Sequence, residues 1–191
     1  ALTSTTTGGT NSAVGYTALY TNTTGTSNTA VGRSALYTNN ADNNTGIGQR
    51  ALYANTSGTA NTAVGSQALD ANTTADYNTG VGRSALAAVT TGGYNNAIGS
   101  NALDALTTGT HNVAMGVNAL GASNGNNNTA VGSAAMYTNT TGGNNVAIGY
   151  AASYTNSTGS ENVAVGYAAL YNSTGNNLSL IHISEPTRRE G

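Results

Sequence analysis

The sequence predicts an all-β chain, a parallel β-roll or β-solenoid of about ten coils of 16–17 residues each. Three observations predict it. A core of the form Asn-x-Ala-Val-Gly-x-x-Ala-Leu recurs ten times. The stretches between copies are rich in Gly, Asn and Thr, the residues of turns. Each copy holds one short run, such as Thr29-Ala30-Val31-Gly32, in which small and larger side chains alternate as they do on a strand.

The period is read from the central aliphatics: Val14, Val31, Ile47, Val64, Val81, Ile98, Met115, Val131, Ile148 and Val165. They are spaced by 17 residues, shortened to 16 between Val31 and Ile47 and between Met115 and Val131. Gly follows every one, Asn stands three residues before it, and Ala stands four residues after it. The pattern is plain in Asn28, Val31, Gly32, Ala35 and Leu36, and again in Asn61, Val64, Gly65, Ala68 and Leu69. It returns near the end in Asn145, Ile148, Gly149 and Ala152. Leu fills the next position in eight copies, with Met136 and Ser153 as the exceptions.

A unit this short cannot hold two packed helices, and its Gly and Asn oppose helix. The run around Val31 reads as one strand, and a second short extended stretch is expected around Ala35-Leu36. Thr21–Gly25 and Thr138–Gly142 supply turns, since Gly reaches positive φ freely and Asn and Thr bond their own backbone. Stacked at about 4.8 Å, ten such coils make a rod on the order of 45 Å long.

The strand has two unlike faces. One carries Thr or Val followed by the Val/Ile/Met position. The other carries only Ala or Gly, then the constant Gly. Small residues alone suggest the close approach of another surface, and the plain alternative is a tight turn. Two large aliphatics per coil make a thin core, which favours burial against further copies of the chain. The constant Asn suits either an amide ladder along the rod or a left-handed turn position.

Composition excludes much else. Only 6% of the 191 residues are charged, the net charge is -2, and there is no lysine, cysteine or tryptophan. No basic patch is present to neutralise phosphates, so nucleic acid is not an expected partner. A disulfide framework is absent, and no apolar run is long enough for membrane insertion. Low hydrophobicity without high net charge argues for a repeat rather than disorder.

No catalytic constellation is expected, so the chain reads as a non-enzyme with no cofactor and no metal. The calcium-binding Gly-Gly-x-Gly-x-Asp nonapeptide is missing. His111 lies in a turn slot that elsewhere holds Ser27, Asn43, Tyr77 or Glu161, so a solvated turn residue is expected. Asp70 and Asp104 share a slot two coils apart, roughly 10 Å, too far to share a proton. Arg33, Arg50 and Arg83 form a sparse basic stripe or a solvated surface. Tyr20, Tyr37, Tyr53, Tyr137, Tyr154 and Tyr171 share one slot, giving a row that packs at the coil edge or binds glycans. Asn22, Asn55, Asn72, Asn139 and Asn156 head Asn-x-Ser/Thr sequons, frequent by chance in such a chain.

The motif at Asn28 to Leu36 and Asn61 to Leu69 resembles the head repeats of trimeric autotransporter adhesins, and Val146-Ala147-Ile148-Gly149 with Ala152 matches that core closely. The longer unit with Tyr137 to Gly142 looks more like bacterial and phage tail-fibre-like proteins. The resemblance covers residues 1–177. It implies a left-handed β-roll in an intertwined or packed homotrimer. It also implies a shaft or head segment of an extracellular fibre on a bacterial surface or phage virion. A host-surface glycan or protein is then the implied receptor. The alternative is an ice-binding β-solenoid, with Thr rows such as Thr23-Thr24, Thr73-Thr74, Thr107-Thr108 and Thr140-Thr141. The variable spacing falls in those turns and would break a flat lattice.

Both ends interrupt a repeat. Ala1-Leu2 fill the Ala-Leu positions of a preceding copy. Residues 178–191 leave the pattern, and Leu178 to Arg188 is similar to the translation of a tagmentation sequencing adapter over eleven consecutive residues. The expectation is a repeat fragment, 1–177, followed by a non-native tail of adapter read-through in a metagenomic fragment. Leu178 to Ile183 also alternates as a strand would.

Overall fold

The structure, a computed structural model, describes residue 4 and residues 7–181. It is a β-solenoid with one three-residue strand per coil. The strands are β1 (Ser12–Val14), β2 (Thr29–Val31), β3 (Thr45–Ile47), β4 (Thr62–Val64), β5 (Thr79–Val81) and β6 (Asn96–Ile98). They continue with β7 (Val113–Met115), β8 (Thr129–Val131), β9 (Val146–Ile148), β10 (Val163–Val165) and β11 (Ser179–Ile181). All eleven form one parallel sheet in chain order.

The register follows the repeat: Thr29 pairs with Thr45, Ala30 with Gly46 and Val31 with Ile47. The 16-residue steps, at β2–β3, β7–β8 and β10–β11, do not disturb it. The missing residue comes out of the turn. Asn22 bonds the Gly25 carbonyl three residues ahead, whereas Asn39 bonds the Ala41 carbonyl two residues ahead.

The expected second strand is not formed. Ala35-Leu36 lies in a turn, with Ser34 at φ 57° and Leu36 at φ 51°. Coils still bond there, since the Leu19 N–H donates to the Ala35 carbonyl at 3.0 Å and the Leu36 N–H to the Ala51 carbonyl at 3.0 Å. The alternation of left-handed residues with their neighbours turns the chain inward while keeping bonds to the next coil, since the Ser34 N–H also donates to the Tyr16 carbonyl at 2.8 Å and the Thr21 N–H to the Tyr37 carbonyl at 3.0 Å. The buried Leu is therefore held at positive φ, an uncommon state for a bulky residue.

The core differs from the one expected. Ala30, Ala35 and Leu36 are fully buried in their coil, as are Ala63, Ala68 and Leu69. The Val/Ile/Met position points outward: Val31 is 38% exposed, Ile98 44% and Ile148 43%. The small face thus meets its own coil rather than another chain. A Cβ on Gly46 would lie 3.2 Å from Leu36 Cγ and 3.0 Å from the Ala51 carbonyl oxygen. Ala is close to the largest side chain this interior takes.

The constant Gly has two causes. Gly48 sits at φ 133°, and a Cβ there would come within 2.5 Å of the Gly65 carbonyl oxygen in the next coil. Both the backbone conformation and the stacking distance demand glycine.

The ladder runs four residues into the segment expected to be non-native. The Val163 N–H donates to the Leu178 carbonyl at 2.8 Å, and Ser179–Ile181 pairs with β10. Leu180 takes the inner slot but is 41% exposed, whereas Ala164 beside it is fully buried. The rest of that segment, 182–191, and Ala1-Leu2 lie outside the described residues.

Candidate interaction face and the side-chain columns

The constant Asn forms a continuous buried column. The Asn28 Oδ1 accepts the Asn44 N–H at 2.8 Å, the Asn44 Oδ1 accepts the Asn61 N–H at 2.9 Å, and the Asn128 Oδ1 accepts the Asn145 N–H at 3.0 Å. Each Nδ2 reaches a carbonyl of the following coil, as from Asn61 to Ala75 at 2.8 Å. None of these Asn residues has positive φ; that state belongs to the preceding slot, with Ser27 at 56° and Asn43 at 61°. The ladder is therefore the role of the constant Asn, with a backbone N–H as the main partner of its oxygen.

The sequon and turn asparagines form a second column, which their spacing already marks in the sequence. Asn22, Asn39, Asn55, Asn72, Asn139 and Asn156 recur at this spacing and are buried. Asn55 donates to Asn39 Oδ1 at 2.6 Å and Asn72 to Asn55 Oδ1 at 2.8 Å. Val89, Leu106 and Ser123 interrupt the column. Asn72, the last before Val89, keeps a buried Oδ1 with no hydrogen-bond partner. The five sequon amides named above are among these buried groups, so in the folded chain they are closed to glycan attachment.

The outward strand face carries most of the exposed aliphatic side chains. Two rows run along it in register: Thr29, Thr45, Thr62 and Thr79 in one, Val31, Ile47, Val64 and Val81 in the other. Towards the C-terminus Val113, Val146 and Val163 enter the first row, with Thr129 standing between Val113 and Val146. Exposed Val117, Tyr150 and Tyr167 widen it there.

The tyrosines stack into columns. Tyr20–Tyr37 and Tyr37–Tyr53 have ring centroids 5.3 and 5.2 Å apart, and Tyr137–Tyr154 and Tyr154–Tyr171 lie at 5.5 and 5.0 Å. Stacked rings cover one another's faces and present edges to solvent. A sugar that needs an open ring face would find it only at a column end. His111 is exposed, at φ 59°, and its ring stacks on Tyr94 at 5.0 Å, which stacks on Tyr77 at 5.0 Å. Its slot is a turn position, and the stack adds a ring contact to it.

The charges are sparse. Arg33 and Arg83 are exposed, but Arg50 is bound. Its Nε and Nη2 donate to the two Asp70 carboxylate oxygens at 3.1 and 2.9 Å, and its guanidinium lies 4.2 Å from the Tyr53 ring centroid. The hydrogen bonds that it donates to Asp70 hold the pKa of the Arg50 guanidinium above its ordinary value. Asp104, in the Asp70 slot, has Ser84 rather than Arg where Arg50 stands relative to Asp70. Partial burial pushes its carboxyl above the usual carboxylate range. Among the described residues there is no pocket, and no three His, Cys, Asp or Glu side chains cluster as metal ligands.

The repeat residues thus divide by role. Asn28, Asn61 and Asn145 make the ladder; Ala35, Leu36, Ala68, Leu69 and Ala152 fill the core. Gly32, Gly65 and Gly149 allow coils to stack, and Val31, Val64 and Ile148 line the outer face. No protein-family model, curated protein or solved structure matches the chain.

Proposed function

We propose that the chain is a structural repeat segment, shaft or head, of an extracellular trimeric fibre, an adhesin or a phage-like tail fibre. The observation that carries this reading is the unbroken row of outward aliphatics along the parallel sheet. A soluble rod that lives alone has no reason to keep Val, Ile or Met at all ten positions. Each chain completes its own ladder, so three rods pack side by side through this face without exchanging strands. The polar turns then face solvent and carry any contact with a host-surface glycan or protein.

A second reading is favoured by one observation. Thr29, Thr45, Thr62 and Thr79 form a regular row on the strand, where the 16-residue steps leave the register intact. The lattice objection to turn threonines does not apply to these, and they suit an ice-binding surface.

Sedimentation equilibrium of the whole chain separates the two. A particle of three times the 18.9 kDa chain mass is expected. A monomer that produces thermal hysteresis establishes the second reading, and a monomer without it overturns both. Residues 178–191 stand outside the fibre reading, as adapter read-through. An uninterrupted reading frame through them in genomic DNA overturns that assignment.

A further inference from the structure

The structure assigns the stacked tyrosine columns as sites of oxidative dityrosine cross-linking, by which neighbouring coils are stapled covalently under a peroxide-driven haem peroxidase. Ten of the eleven tyrosines stack on another tyrosine one coil away. Centroid separations are 5.0–5.5 Å and interplanar angles 3–23°. The rings are partly or well exposed, so they turn about their side-chain bonds without disturbing the core.

The chain has no other side chain that readily takes a one-electron oxidation. Cysteine and tryptophan, the usual sinks, are absent. Of the two methionines Met136 is fully buried, and Met115 oxidises by oxygen transfer to the sulfoxide instead. A tyrosyl radical formed here therefore stays on tyrosine, with a second phenol held next to it.

The step balances. Each of two phenols gives up one proton and one electron, and one hydrogen peroxide is reduced to two waters. The two radicals join ring carbon to ring carbon, ortho to oxygen, and lose those two ring hydrogens to the phenolate oxygens as the rings regain aromaticity. Two tyrosines and one peroxide give one dityrosine and two waters. The bond closes a loop of one coil, 16 or 17 residues in length. Closing it restricts the unfolded chain, so the rod melts at a higher temperature.

Tyr16 is the internal control. It is 78% exposed, the most exposed tyrosine, yet no ring stacks on it among the described residues. Accessibility alone makes it the first to react, whereas stacking leaves it without a partner in its own chain.

The test treats the whole chain with peroxidase and hydrogen peroxide at low protein concentration, then cleaves after Arg33, Arg50 and Arg83. Tyr20–Tyr37 joins the first two peptides, Tyr37–Tyr53 the second and third, and Tyr77–Tyr94 the third and fourth. Mass spectrometry is expected to find these three links, with dityrosine fluorescence and a raised melting temperature. Tyr37→Phe keeps a ring in the stack and is expected to abolish the first two links while leaving the third. Links through Tyr16 as frequent as those through Tyr20 overturn the proposal. So does the same link pattern from chain unfolded in urea.

Discussion

Asn44 and Asn55 donate to the same acceptor: each Nδ2 lies 2.8 Å from the Gly58 carbonyl oxygen. One comes from the ladder beside the strand, the other from the turn. The pairing recurs at Ala41, Ala75 and Gly142. Each such carbonyl uses both lone pairs, and the coil interior becomes a polar core bounded by Ala and Leu. That is how a chain this poor in large aliphatics closes a solenoid. Buried amides that are fully paired impose one register, and any gap leaves a desolvated group.

Asn61→Ala removes the acceptor for the Asn78 N–H, which is buried and receives no other partner from the ladder. A loss of roughly 1–3 kcal/mol for each group left unpaired is expected. Chemical denaturation with far-ultraviolet circular dichroism measures it, and an unchanged midpoint contradicts the ladder's role.

Gly48→Ala places a methyl against the Gly65 carbonyl at a backbone angle that L-residues avoid. The expected cost is on the order of 3 kcal/mol. Arg33→Ala, a larger change but at an exposed side chain, is expected to cost almost nothing in the same denaturation series.

Asp104 carries a pH signature. Its folded pKa is raised by desolvation, so the native state binds more protons than the unfolded chain between the ordinary and the raised value. Its contribution to stability therefore falls as pH rises through that window, and the burden persists above it. Asp104→Asn is expected to melt higher than the parent at neutral pH, with the difference vanishing below the ordinary carboxylate range.

Glu161 sits at φ 61° in the slot that Asn fills at Asn43, Asn127, Asn144 and Asn177. Asn tolerates the left-handed region better, so Glu161→Asn is expected to stabilise by about 0.5–1 kcal/mol. A melting temperature that does not rise contradicts the backbone argument.

The coil count, the position of the strand and the turns were all legible, because ten copies of one unit expose its periodicity. Which face of Thr29-Ala30-Val31 points inward was not. Large aliphatics ordinarily mark a core, but here the ladder amides and Leu36 already fill the interior, and only Ala or Gly fits beside them. The turn at Ala35-Leu36, in place of the extended stretch expected there, was not legible, because residue type does not reveal the positive φ of Ser34 and Leu36. The second Asn column was present in the spacing of Asn22, Asn39, Asn55 and Asn72. The Arg50–Asp70 pair joins residues 20 apart, and only the coil geometry brings them together.

The central claim is that the outward aliphatic row is the surface through which copies of the chain associate. Ile47, Ile98 and Ile148 are spread along it, each exposed in the single rod. Changing all three to Glu leaves the coil interior untouched. Sedimentation equilibrium of the parent and of this triple variant tests the claim most directly. The account predicts a trimer for the parent and a monomer for the variant, with the same circular dichroism. A variant that sediments as a trimer alongside the parent contradicts it.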